Sequence, residues 1–403
     1  MSSENTAAPQ AHKPNASGGA LDRYFKITER GSTISAEIRG GLATFFAMSY
    51  IVVLNPLILG LTPDSSGRSL GVPQVAAMTA LVAGVMTILL GVYAKHPFAM
   101  AAGLGVNALL ATTIATTPNL TWPQIMGLVV WAGVLMTALV LTGFRTAVFD
   151  AVPESLKTAI VVGIGLFIAF VGLVNAGIIR RAETGSTPVV FGVHGHLLGW
   201  PTLVFIFGLF LTIALFIRNV RGAILIGVVA STALSIILEA VFHIGSGKGN
   251  PTGWSLNVPA LNNFSFSAPD FSLIGSARFG AFGAIGVLGA SLLVFAILLS
   301  VFFDAMGVSV GLATEAGTID KDGKVENINE VLLVDAVGSV VGGGASGSAN
   351  QIFVESATGI GEGARTGLAN IVTGVLFLVA IIASPLVTIV PFEAVAPALG
   401  VVG

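Results

Sequence analysis

Apolar residues dominate 38–60, 72–93, 124–144, 156–177, 203–217, 223–242, 282–303 and 368–390. A helix needs about 20 such residues to cross a bilayer, so each run predicts a membrane span. The strands of a membrane barrel would instead give short segments alternating between apolar and polar. The pattern therefore predicts an all-α polytopic membrane protein. Two further segments fit poorly as lipid-facing helices: "FAMAAGLGVNALLATTIATT" at 98–117 and "GGGASGSANQIFVESATGIG" at 342–361. Both are rich in Gly, Ala, Ser, Thr and Asn, which makes a continuous helix doubtful in either. Unwound backbone survives at membrane depth only inside protein or along a water-filled cavity. A pair of Gly-interrupted segments at matching positions in two halves marks a transporter's binding site.

The halves correspond. "FFAMS" at 45–49 returns as "FFDAMG" at 302–307, and the two broken segments are separated by a similar interval. Seven spans precede a polar insertion at 245–280. Because that number is odd, a second copy has to run inverted through the membrane. Four spans follow the insertion, and "PFEAVAPALGVVG" begins a fifth as the sequence reaches Gly403. On symmetry, about three more helices are expected beyond that point, so a truncated chain is the expectation.

Composition agrees with a lipid solvent. Of 403 residues, 54% are hydrophobic and only 9% charged, and the mean hydropathy is +0.92. A soluble domain carries roughly a quarter charged residues. There is no cysteine, which removes disulfides, thiolate nucleophiles and Cys-based metal centres. A net charge of −2 and the lack of any basic run give no reason to expect nucleic acid. Residues 1–20 are polar, lack the apolar core of a signal peptide, and read as a disordered tail. Placing the N-terminus in the cytoplasm puts Lys13, Arg23, Lys26, Arg30, Arg39, Lys95, Arg145, Lys157, Arg218, Arg221, Lys321, Lys324 and Arg365 inside. Arg68, Arg180, Arg181, Lys248 and Arg278 then lie outside, and the balance favours this orientation.

Four acids fall in or beside apolar spans: Glu239, Asp304, Asp335 and Glu355. A carboxylate in lipid costs several kcal/mol, so such residues normally face a polar cavity or a partner. Glu239 lies near a span end and reads as interfacial. Asp335 follows "ENINEVLL" closely and reads as a brace at a helix end. Asp304 and Glu355 are the functional candidates, because one is deep in its span and the other sits at a break. An extended 349–354 is expected to leave backbone N–H and C=O groups unpaired for a planar heterocycle. A helix starting near Glu355 would turn its positive end to the carboxylate and ligand. Glu355 can accept hydrogen bonds from ring N–H or amino groups, Asn107 offers a donor and an acceptor, and Phe353 offers an aromatic face. Other chemistry is weakly represented. His194 and His196 could pair on a metal but read better as solvated, and "TIDKDGKVENINE" lacks the acid spacing of a calcium loop.

The stretches "FFAMSYIVVLNPLIL", "GLGVNA", "FFDAMG", "DKDGKVENIN" and "FVESATGIGEGARTGL" occur in an order and spacing that resembles the AzgA-like purine permeases of the nucleobase–cation symporter group. The likeness runs from about Leu21 to the end. It implies the uracil-permease fold, with two inverted seven-helix repeats woven into core and gate domains and two broken helices whose short strands meet at the substrate. On that frame, 21–144 and 281–390 form the core, 145–244 begins the gate, 245–280 is extracytoplasmic, and 391–403 starts the second gate segment. The family's carboxylates fall on Asp304 and Glu355, and its asparagine on Asn107. Gly105 and Ser356, in the same motifs, complete the expected substrate-binding set. The implied activity is uptake of adenine, guanine, hypoxanthine or xanthine across the plasma membrane by proton symport with alternating access. The proton is preferred to sodium and rides on Asp304 or Glu355. No cofactor is implied, and a homodimer is the family's habit. Asn350, Gln351, Ile352 and Phe353 stand where the family has threonines and tyrosine, Ala305 where it has threonine, and Ala102 where it has proline, so the preferred base is left open. A same-fold sulfate-type anion transporter would favour a cationic or neutral site over two carboxylates. An intramembrane aspartyl hydrolase would need a Gly-x-Gly-Asp arrangement, which is absent.

Overall fold

A computed structural model describes residues 19–144, 154–181, 189–193, 195–218, 220, 222–247, 249–255, 257–261, 268–319 and 325–402. The tail 1–18, His194, and 320–324 of the charged turn lie outside the described residues. The first half comprises α1 (Ala20–Phe25), α2 (Ile34–Met48), α3 (Ile51–Leu59), α4 (Val72–Tyr93), β1 (Met100–Ala102), α5 (Leu104–Thr116) and α6 (Trp122–Leu141). It continues with α7 (Glu154–Asn175), a hairpin of β2 (Ile179–Arg181) and β3 (Val189–Phe191), α8 (Trp200–Ile217) and α9 (Ala223–Phe242). The second half holds α10 (Ala281–Ala284), α11 (Gly286–Ala316), α12 (Ile328–Gly344), β4 (Asn350–Ile352), α13 (Ser356–Gly361) and α14 (Gly367–Ala380). A 3-10 segment (Ile381–Ile389) and α15 (Phe392–Val402) close it. Seven helical stretches among the described residues are long and apolar enough to cross a membrane.

The helices sort by their packing partners. α2 and α4 pack on α14, and α6 on α12, while α7, α8, α9 and α15 pack mainly on one another. Small residues set the closest approach. A Cβ at Gly91 of α4 would lie 2.5 Å from the Gly367 carbonyl, and one at Gly84 would lie 2.9 Å from that of Gly374. Both pairs recur after seven residues, so one face of each helix is notched twice where they cross.

Glu37, fully buried in α2, caps a helix other than its own. Its Oε1 accepts the Arg365 N–H at 2.8 Å, and its Oε2 accepts those of Thr366 and Ala369 at 3.3 and 3.2 Å. These are orphan donors at the start of α14, where a negative charge also suits the helix dipole. Glu37→Ala strands two buried donors, of Thr366 and Ala369, at about 1–3 kcal/mol each, and the part-buried Arg365 N–H at less. It is expected to lower the melting temperature of the purified protein clearly, and Glu37→Gln less so.

His96, between α4 and β1, is fully buried and stacked on Phe98. Its Nε2 donates to the Glu326 carbonyl at 2.6 Å. Burial pushes the imidazole down to about 4 from its ordinary 6.5, with the charge of Arg30 adding to the effect. Between those two values the unfolded chain takes up a proton that the folded chain refuses. The contribution is therefore complete above pH 6.5 and lost as pH falls toward 4, on the order of 2 kcal/mol by pH 5. Melting curves at pH 7.5 and 5 are expected to differ more for the wild type than for His96→Asn.

The insertion after α9 is anchored at both ends. Trp254 Nε1 donates to Glu239 at 2.7 Å, and Ser255 gives its N–H and hydroxyl to Glu393 Oε1 of α15. Further along, Asp270 accepts from Gln74 at the start of α4, and the Arg278 N–H reaches the Pro123 carbonyl at the start of α6.

Candidate functional site

The two broken segments meet. β1 and β4 pair antiparallel, Met100 opposite Ile352, Ala101 opposite Gln351 and Ala102 opposite Asn350. The ladder extends one step each way, through Gly103 N–H to the Ala349 carbonyl and Phe353 N–H to that of Ala99. A Cβ at Gly103 would meet the end of the Gln351 side chain, which would have to move aside. The outward groups are supported from the sides. Thr87 of α4 exchanges hydrogen bonds with the Met100 N–H and C=O, and Asp335 of α12 accepts the Ile352 N–H at 3.3 Å. Each strand is thus hooked by one polar side chain from the preceding helix of its own half.

These bonds correct the expectation of an unpaired backbone over 349–354, since β1, Ala99, Gly103 and Asp335 engage much of it. Asp335 is also not at a helix end. It lies fully buried near the middle of α12, which runs on to Gly344 through residues expected to belong to the break. Gly343 packs on Val129 and Val130 of α6, and that packing outweighs poor glycine propensity. α13 has only six residues, and its first N–H groups are already spent: Ser356 on Phe353, Ala357 on Val354 and Thr358 on Glu355. The start of α13 is therefore not a free helix end for a ligand.

The predicted residues fall as follows. Glu355 immediately precedes α13, partly exposed, and its Oε1 accepts the hydroxyl of Tyr50, a buried residue between α2 and α3, at 2.6 Å. Ser356 is buried and its hydroxyl is doubly used, accepting the Ala99 N–H and donating to the Phe353 carbonyl. Phe353 is buried in the apolar core beside β4. Gly105 and Asn107 lie in the first turns of α5, just after β1. Asn107 is fully buried, and neither its Oδ1 nor its Nδ2 has a hydrogen-bond partner; the same holds for Asn350 Oδ1 and Gln351 Nε2. Buried polar atoms are normally paired, so this cluster beside the crossing is unusual. Asp304 lies within α11, which packs against β4, α5 and α13. The charges of Asp335 and Glu355 both reach it. His196 sits apart, in a turn bridged to Val193.

Sequence reasoning passed over Tyr50, Glu37 and the support role of Asp335. The available signal for Tyr50 was a hydroxyl-bearing aromatic inside an apolar run. For Asp335 it was a carboxylate with no basic residue nearby in sequence.

Two half-helices joined through short strands, inside a bundle of membrane-length helices, define a multi-pass membrane transporter. The fold is that of the transmembrane domain of the cyanobacterial bicarbonate transporter BicA, with a TM-score of 0.61 at 17% identity over 91% of this chain and 86% of that one. SLC26A9 aligns with a TM-score of 0.61 at 13% identity, over 94% of this chain and 58% of its own. The chain belongs to the permease family Xan_ur_permease, which matches residues 35–403. Among its relatives, a protein described as a putative permease, MJ0326 of Methanocaldococcus jannaschii, is 36% identical over 95% of this chain and 81% of its own length. The adenine permease AdeQ of Escherichia coli is 34% identical, covering 96% and 80%. The guanine/hypoxanthine permease PbuG of Bacillus subtilis is 35% identical, covering 95% and 82%.

Proposed function

We propose that this protein imports purine nucleobases by proton symport, holding the base beside the β1–β4 crossing. The observation that carries the reading is the pair of membrane-embedded carboxylates there. Glu355 adjoins β4, and Asp304 lies on a helix packed against it. Two acids suit the N–H and amino edges of a purine and repel an inorganic anion. Asn107, Gly105 and Phe353 are assigned to the base, with Ser356 fixing the loop that presents Glu355. The relatives' names support a purine over other heterocycles.

In this reading, α2–α6 and α11–α14 form a core that carries the site, and α7–α9 with α15 form the gate against which it moves. Alternating access then follows from exposing one fixed site to each side in turn. The N-terminus and the Arg30, Arg39, Lys95 and Arg365 end lie in the cytoplasm, and the membrane is the plasma membrane. Labelled adenine and hypoxanthine uptake in cells producing the protein tests this. Uptake is expected to rise as external pH falls, collapse with a protonophore and ignore replacement of sodium. Uptake that follows sodium and ignores the protonophore would contradict it.

A further inference from the structure

We infer that Glu362 is the group through which the proton leaves Glu355 for the cytoplasm; this rests on the proton-symport reading above. Glu355 and Glu362 stand at the two cap positions of α13. Seven residues at 1.5 Å each place them about 10 Å apart, and offsets of three and seven put Glu355, Thr358 and Glu362 on one face. All three line one cavity of about 490 Å³, whose opposite wall includes Phe216 of α8 and Ala223 and Ile224 of α9. The cavity has room for many waters at about 30 Å³ each, and two carboxylates and a hydroxyl to hold them.

The two ends differ in their partners. At the inner end, Tyr50 occupies Glu355 Oε1. At the outer end, Glu362 Oε2 lies 3.0 Å from Arg39 Nε, with 59% of the Arg39 side chain exposed against 13% of Glu362. Arg39 also donates to the Glu362 carbonyl at 2.9 Å, while Arg365 spends one guanidinium nitrogen on the Ile360 and Ala364 carbonyls. The acid is thus held at the mouth of the cavity by a solvent-exposed cation. In the release step the O–H bond of protonated Glu355 breaks. The proton passes through cavity water to a Glu362 carboxylate oxygen and then to bulk water. Glu355 is left as a carboxylate, and Glu362 returns to its pair with Arg39.

Wild type and Glu362→Gln, reconstituted in proteoliposomes, separate release from binding. Counterflow of labelled adenine or hypoxanthine needs no net proton movement, whereas base-evoked acidification of the lumen reads the proton directly. Glu362→Gln is expected to keep counterflow within about twofold and to slow acidification about tenfold or more, and Glu362→Asp to recover most of the rate. Arg39→Gln breaks the surface pair but leaves both carboxylates, so its acidification should stay within about threefold of wild type. Unchanged acidification in Glu362→Gln would overturn the inference. So would equal losses in Glu362→Gln and Arg39→Gln, which would mark a structural pair. Wild-type counterflow without any base-evoked acidification would overturn proton symport itself.

Discussion

Glu355→Gln abolishes high-affinity purine uptake while the protein still inserts and folds. The substitution keeps the side chain's size, and the new amide oxygen can still accept the Tyr50 hydroxyl that Glu355 accepts at 2.6 Å. The local frame therefore survives, because the β1–β4 ladder and the Ser356 brace do not involve this carboxylate. What is lost is a charged acceptor for the base. A hydrogen bond to a charged group contributes about 1.5–3 kcal/mol, or about 10- to 150-fold in affinity. The check is the concentration dependence of uptake at matched amounts in the membrane. An unchanged half-saturating concentration would remove Glu355 from the site.

Asp304→Asn is expected to separate binding from accumulation. Asp304 lies past the midpoint of a 31-residue helix and makes no hydrogen bond to any described residue, while the charges of Asp335 and Glu355 reach it. A carboxylate so placed can take up the proton and hand it on to Glu355 in each cycle, and an asparagine cannot. Exchange of labelled base across the membrane should persist, because base on both sides needs no net charge movement. Accumulation above the external concentration should vanish, and with it the acceleration seen at low external pH. Concentrative uptake by Asp304→Asn that still collapses with a protonophore would move the proton to another residue.

The membrane helices were legible because an apolar run of spanning length has few other readings. The two broken segments were legible for the opposite reason, since their composition suits neither lipid nor a regular helix. The strands inside them were not readable from pattern. "MAA" and "NQI" show no alternation and are three residues long, and their register depends on partners about 250 residues away. That short strands would meet there came from family resemblance alone. The same distance hid Tyr50, which is 305 residues from Glu355 in sequence. It hid the Glu37 cap on α14 as well, since local signals describe a helix's own residues and this cap comes from another helix. Asp335 was misplaced because it follows "ENINEVLL" so closely that it reads as a brace at a helix end, and the glycines after it read as part of the break. Packing of Gly338 on Met100 and Asn350, and of Gly343 on α6, keeps α12 helical through that stretch. Propensity alone does not contain that information.

The central claim, that the carboxylate-lined crossing carries purines, is most directly tested with the purified protein as the only transporter in proteoliposomes. Labelled adenine, guanine, hypoxanthine, uracil, sulfate and bicarbonate are offered under an inward proton gradient. Saturable accumulation of at least one purine, lost when the gradient is dissipated, with neither anion accumulated, is the predicted result. Accumulation of sulfate or bicarbonate with no purine transported would contradict the account.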